Sequence, residues 1–221
     1  MLNKKTFLVT ALILALPFSC PAIAATVWDE SVDNDLSNNP LAPTPLIFAP
    51  GPNDVVGEAG GPPGPGALAP FDQDFFTFTI PAGYELRSLT AVTVDLFSPG
   101  DEVAFIAIEN GPKITHDVSP PTFGGNAAGL LGWLHLPASD QGADILPAMA
   151  TAGDEATGFT GPLGAGQYSV WVQDNQPFSY DFRFQMTGIP EASTWLMMAV
   201  GFAALGFAGL RKRAIASRST A

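Results

Sequence analysis

Tyr180-Asp181-Phe182-Arg183-Phe184-Gln185-Met186 alternates large apolar and polar residues without a break. That period of two puts Tyr180, Phe182, Phe184 and Met186 on one face of a strand and leaves Asp181, Arg183 and Gln185 to solvent. Upstream, Gly166-Gln167-Tyr168-Ser169-Val170-Trp171-Val172 buries Tyr168, Val170 and Val172 in the same way. Asp74-Phe75-Phe76-Thr77-Phe78-Thr79-Ile80 places Phe76, Phe78 and Ile80 together, and Pro81-Ala82-Gly83 turns the chain.

The next expected strand runs from Leu86 to Phe97, with Leu86, Thr90, Val92, Val94 and Leu96 sharing a face. Ser98-Pro99-Gly100-Asp101 reads as a type II turn, with Pro and Gly at its centre. Val103 to Ile108 is nearly continuously apolar, as a strand covered on both faces requires. Leu131 to Leu136 is a further strand beyond a Pro/Gly-rich loop at 111–129, and Asn53 to Glu58 a short early one. Residues 25–69 otherwise read as irregular, and 60–70 as a Gly/Pro connection over the surface. Seven or eight such strands predict an all-β fold, an antiparallel, jelly-roll-like β-sandwich.

Both ends carry targeting patterns. Residues 1–25 have the parts of a cleavable secretory signal: Lys4 and Lys5, an apolar stretch from Phe7 to Leu16, and the small-x-small Ala22-Ile23-Ala24. Cys20, the sole cysteine of the 221 residues, is expected to leave with it. The mature protein then has no disulfide and no thiolate chemistry. The folded domain is expected at 26–188.

After it come Ile189-Pro190-Glu191-Ala192-Ser193-Thr194, an apolar stretch of 16 residues from Trp195 to Leu210, and Arg211-Lys212-Arg213. As a helix, 195–210 spans about 24 Å, short of a hydrocarbon core of roughly 30 Å. The basic cluster would act as a membrane stop, leaving 214–221 as a cytoplasmic tail.

This short motif, short helix and basic stop resemble the PEP-CTERM sorting signal of exported bacterial proteins, over residues 189–213; the same type of tail is also labelled an ice-binding protein C-terminal domain. The resemblance implies Pro190, Glu191 and Ala192 as the sorting motif, with Ala192 where the family most often has a second proline. It implies an exosortase as processing partner, transient residence in the inner membrane, and delivery to the cell surface or an exopolysaccharide matrix. The segments Asp72–Gly83, Asp101–Ile106 and Gly166–Gln173 resemble exported domains related to the bacterial pre-peptidase C-terminal sandwich, which are non-catalytic.

Charge separates the domain from its ends. The middle keeps three basic residues, Arg87, Lys113 and Arg183, against twenty acids, a net charge near −17. Such a surface repels phosphate backbones, which excludes nucleic acid as a partner. It suits solubility outside the cell, and it also suits a divalent cation.

Chemistry-bearing motifs are few. The two histidines, His116 and His135, lack the spacing of a metal hydrolase, and no nucleophile elbow or phosphate loop occurs. No catalytic residue is assigned, and no cofactor beyond a possible structural calcium. Oxygen ligands for it are offered by Asp72, Asp74 and Asp101, and by the acidic opening with Asp29, Asp33, Asp35, Asn34, Asn38 and Asn39. The plainer reading is that Asp72 and Asp74 flank a strand start and solvate a turn.

Trp133, Trp171 and Tyr84 are candidates for stacking on sugar rings; for Trp171, core packing is the competing role. The leading expectation is an exported, non-enzymatic surface or matrix protein. A carbohydrate- or calcium-binding module, with extracellular polysaccharide as partner, is the alternative. A glycosidase-like carboxylate pair is the enzymatic reading set against both.

Overall fold

The computed structural model describes residues 23–62, 69–97, 103–119, 125–151, 153–190 and 195–207. Among them the chain is mostly β. The strands are β1 (Ala25–Asp29), β2 (Thr44–Pro45), β3 (Gly51–Ala59), β4 (Gln73–Ile80), β5 (Tyr84–Leu96), β6 (Ala104–Asn110), β7 (Gly132–Leu136), β8 (Gly166–Gln173) and β9 (Phe178–Gly188). Two short helices, α1 (Glu30–Asp33) and α2 (Leu146–Ala150), sit among them. One sheet has the order β1-β3-β9-β5, the other β2-β4-β8-β6-β7.

The alternating faces explain the packing. β9 turns Phe178, Tyr180, Phe182, Phe184 and Met186 inward, all at most 2% exposed. Across from it, β4 supplies Phe76, Phe78 and Ile80, and β8 supplies Val170 and Val172. The rings meet between the sheets: Phe184 lies 5.8 Å from Phe76, edge-on, and 5.5 Å from Phe78. Each fully buried Phe contributes up to about 3 kcal/mol of apolar burial, so this seam fixes the sandwich.

Three expectations change. The sheets are mixed, because β1 pairs with β3 and β2 with β4 in parallel. Both parallel pairings belong to the N-terminal segment, which therefore builds sheet edges and is not an irregular prelude. The short early strand is also longer than expected, since β3 pairs with β9 over its full length, Gly51↔Met186 to Ala59↔Phe178.

The face of β5 changes too. Leu86, Leu89, Ala91 and Val94 are buried, while Thr90 and Val92 are half-buried. Register shifts against β9 between Leu86 and Ser88, and again between Ala91 and Thr93, explain this. Each bulge inserts one residue and flips the inward phase.

Outside the five-stranded sheet lies a second, smaller core of Phe75, Ala107, Ile114, Val118, Ala127, Leu130 and Trp171. Loop residues from 111–119 and 125–130 thus cover the far face of β4, β6 and β8, which accounts for the unbroken apolar run of β6. Where the chain leaves β3, Gly60 has φ +80°, and a Cβ there would lie 1.9 Å from the Gln176 carbonyl oxygen. Only glycine fits that approach.

At the ends, β1 opens at Ala25, and Pro190 follows β9 in exposed chain. Residues 195–207 are helical and exposed. Among the described residues no helix is long and apolar enough to cross a membrane. Cys20, the 98–101 turn with Asp101, Glu191, Ala192, residues 208–210 and Arg211-Lys212-Arg213 lie outside the described residues.

Candidate functional site: an aromatic cleft and a buried carboxylate cluster

The second core stops short of the far edge of its sheet. There Phe105 of β6 and Trp133 and His135 of β7 line an open cleft of about 230 Å³ with Asn126, Asp154 and Gln173. Phe105 and Trp133 are stacked with centroids 6.1 Å apart, and His135 sits edge-on to Trp133 at 5.2 Å. Phe105 and Trp133 are half-buried and His135 is exposed. The Trp133 indole N–H donates to the Gly153 carbonyl at 3.3 Å, which holds its ring.

The rim is built at a backbone cost. Asp154 and Glu155 have φ of 51° and 66°, positions that non-glycine residues adopt at a cost of about 1–3 kcal/mol each. The Ala127 amide bonds to the Asp154 carbonyl at 2.8 Å, and the Asn126 amide group to the Glu155 carboxylate at 2.9 Å.

Trp171 contributes only the floor of the cleft. It is 1% exposed, with Phe105 edge-on at 4.8 Å and Phe75 stacked at 6.1 Å, so core packing is its role. Tyr84 lies on β5, in the opposite sheet. Both histidines line the cleft, and His116 Nδ1 lies 2.9 Å from the Ala128 carbonyl. No serine, threonine or cysteine lines it among the described residues. The described residues of the cleft therefore offer rings and hydrogen-bonding groups.

The second site lies at the other end of the sheet order. Asp74 does not solvate a turn: it is in phase with Phe76, Phe78 and Ile80 and is completely buried. Its Oδ2 accepts a hydrogen bond from the Tyr180 hydroxyl at 2.7 Å, from β4 to β9 across the sandwich. Carboxylate oxygens of Glu30 and Asp35 join it, all three within 4.8 Å of one another.

Local structure aims these acids. Asp29 caps α1 by accepting from the Ser31 amide at 3.0 Å. Glu30 accepts from the amides of Leu36, at 2.9 Å, and Glu58, at 2.7 Å. Asn34 turns the chain with φ 75° and ψ 173°, delivering Asp35 beside Glu30. Gly57 makes the space, since a Cβ there would lie 2.5 Å from the Tyr180 hydroxyl and 2.9 Å from Glu30 Oε2.

Burial pushes the acids up. Desolvation, opposed by two backbone hydrogen bonds, raises Glu30 to about 7, and the charges of Asp35 and Asp72 add to it. Desolvation, reinforced by the charge of Asp35, raises Asp72 to about 6. Asp74 rises well above the usual carboxylate range through its burial, with the charges of Glu30 and Asp72 adding to it. Asp72 Oδ1 and Asp74 Oδ1 are buried and accept no hydrogen bond.

Of the acids expected to gather a metal, Asp74 and Asp35 come together, with Asp72 near enough to perturb both Glu30 and Asp74. Asp29 and Asp33 serve the turn instead, Asp33 accepting from the Asp29 amide at 3.0 Å. Glu30 was not anticipated, because nothing in its local pattern sets it apart from its acidic neighbours. Asp74 did carry a signal: an acid in the inward phase of an aromatic strand.

Compared with family models, with curated proteins and with solved structures, the chain has no match in any of the three.

Proposed function

We propose that this chain is an exported, non-enzymatic protein of the cell surface or extracellular matrix whose sandwich holds a neutral saccharide in the aromatic cleft. The observation that carries the reading is the pairing of half-buried Phe105 and Trp133 with Asn126, Gln173, His135 and Asp154 around one opening. Aromatic faces take up the apolar face of a sugar ring, and planar polar groups pair with its hydroxyls. Among the described residues no Lys or Arg lines the cleft, and the domain is strongly acidic, so an anionic polysaccharide is disfavoured. About 230 Å³ lies below the usual range for a large ligand; it suits one ring or a chain end.

Affinity electrophoresis through gels containing neutral glucans or galactans tests the reading. The protein is expected to be retarded by at least one of them, and Trp133→Ala to weaken that retardation at least tenfold with its melting temperature within a few degrees of the parent. Retardation by none, or an unchanged Trp133→Ala, overturns it. Trp171→Ala is unsuitable, since emptying that buried site costs about 3–5 kcal/mol.

Delivery belongs to the same proposal. The tail resembling a PEP-CTERM signal would hold the precursor in the inner membrane until an exosortase-type enzyme cut near Pro190-Glu191-Ala192. The jelly-roll-like resemblance of the domain to non-catalytic exported sandwiches supports a binding role. Intact-mass analysis of the surface-released protein is expected to show a form lacking residues 195–210. A mature form that keeps them contradicts sorting-type cleavage.

A further inference from the structure

We propose that Glu30, Asp35 and Asp74, with Asp72 beside them, form a site for one calcium ion that fastens the N-terminal segment to the sandwich. This site is independent of the saccharide cleft and uses none of its residues.

The donor set is all oxygen, without histidine or cysteine, which selects a hard cation over zinc or copper. Three carboxylates within 4.8 Å of one another match what a single ion bonded at about 2.3–2.6 Å bridges. Magnesium, which needs a tighter octahedron near 2.1 Å and keeps its water, fits this span less well.

The second line of evidence is independent of the clustering. Asp74 is completely buried, yet its Oδ1 accepts nothing while Oδ2 is held by Tyr180. A buried carboxylate oxygen with no partner is costly, because water has been removed and nothing has replaced it. Asp72, at the margin of the core, also has one buried carboxylate oxygen, Oδ1, that accepts no hydrogen bond. An ion would give these oxygens the partner that the protein withholds.

The backbone lets these groups close together. Gly57, paired with Tyr180 across β3 and β9, admits the Tyr180 hydroxyl and the Glu30 carboxylate where any side chain would strike both. Glu30 also lines a recess of about 430 Å³ with Asp29, Ser31, Gly57 and Glu58. The ligands come from α1, the turn after it and β4, so one ion would tie residues 30–35 to the body of the domain. β1 also pairs in parallel with β3 and packs Val27 and Trp28 against the core, and Glu30 accepts from the Leu36 and Glu58 amides, so the ion would add to a modest existing hold.

The competing account is that protons neutralise the acids. Terbium, which replaces calcium and luminesces when sensitised by a nearby aromatic ring, distinguishes the two, since Tyr180 touches Asp74 directly. The full-length chain, purified in detergent and stripped with chelator, is titrated with terbium and then with calcium. Sensitised emission that calcium displaces is expected. Calcium at 100 times its Kd should raise the melting temperature by about 5–10 °C.

Asp74→Asn and Glu30→Gln should each weaken terbium binding at least tenfold, while Asp95→Asn, on an exposed strand position, should leave it unchanged. If Asp74→Asn fails to fold, Glu30→Gln at the half-exposed side of the cluster gives the answer. Absence of sensitised emission, or full emission retained in Glu30→Gln, overturns the site. So does an Asp74→Asn protein that melts higher than the parent while the parent binds no terbium, because protons alone then hold the cluster.

Discussion

Phe182→Asp is expected to abolish the cooperative thermal transition of the domain. Phe182 is fully buried at the middle of β9, flanked by Val55 of β3 and Ala91 of β5, and its ring stacks on Tyr180 at 4.7 Å. Removing the ring alone costs about 3–5 kcal/mol. Burying a carboxylate in its place adds several more, and β9 lies inside its sheet, so the strand has no edge along which to rotate the charge into water. The total approaches the whole stability of an ordinary domain, about 5–15 kcal/mol. Circular dichroism during heating reads the result directly. A variant melting at the parental temperature would mean that the inward face of β9 is misassigned.

The second large effect is a loss of stability as pH rises from 5 to 8 in the presence of chelator. The groups facing one another in the cluster are Glu30, Asp35, Asp72, Asp74 and the Tyr180 hydroxyl. In the unfolded chain the acids ionise near pH 4. In the folded protein Glu30 holds its proton to about 7 and Asp72 to about 6. Between those limits the folded state binds more protons than the unfolded one, so stability falls with rising pH.

The protonated, more stable form is complete below about pH 4, and most of the loss lies between about pH 4.5 and 7. Asp74, raised further, extends the loss upward. Allowing for the water that still reaches Glu30, the change is on the order of 3 kcal/mol. General repulsion among the many acids has the same sign. Glu30→Gln isolates the local part and should flatten the profile. A parental melting temperature that stays constant from pH 5 to 8 in chelator would show that these acids are not desolvated as described.

How much of this could be read from residue order depends on whether the information is local. The strands β4, β8 and β9 were legible because a period of two is written into seven or eight consecutive residues, and burial follows the pleat. β5 misled for the same reason: its two bulges leave no mark in composition, and each moves the inward face by one position. Trp171 sat out of phase with its buried neighbours, and only the loop folded over it shows that its face is covered.

The sites divide similarly. Trp133 was visible as a candidate, but its neighbours Asn126 and Asp154 come from loops that only the fold brings to the cleft. Asp74 was visible as an acid; its partner Glu30 lies far away in the chain and reaches it because β1 and β3 pair in parallel.

The sequence by itself determined an acidic, mostly β chain, because alternation, charge and hydropathy are properties of neighbouring residues. Tertiary structure alone decided the mixed sheets, the second core and the meeting of Glu30, Asp35 and Asp74. Those depend on which distant segments pair, and pairing is settled by the burial of whole faces at once, not by any one stretch of chain.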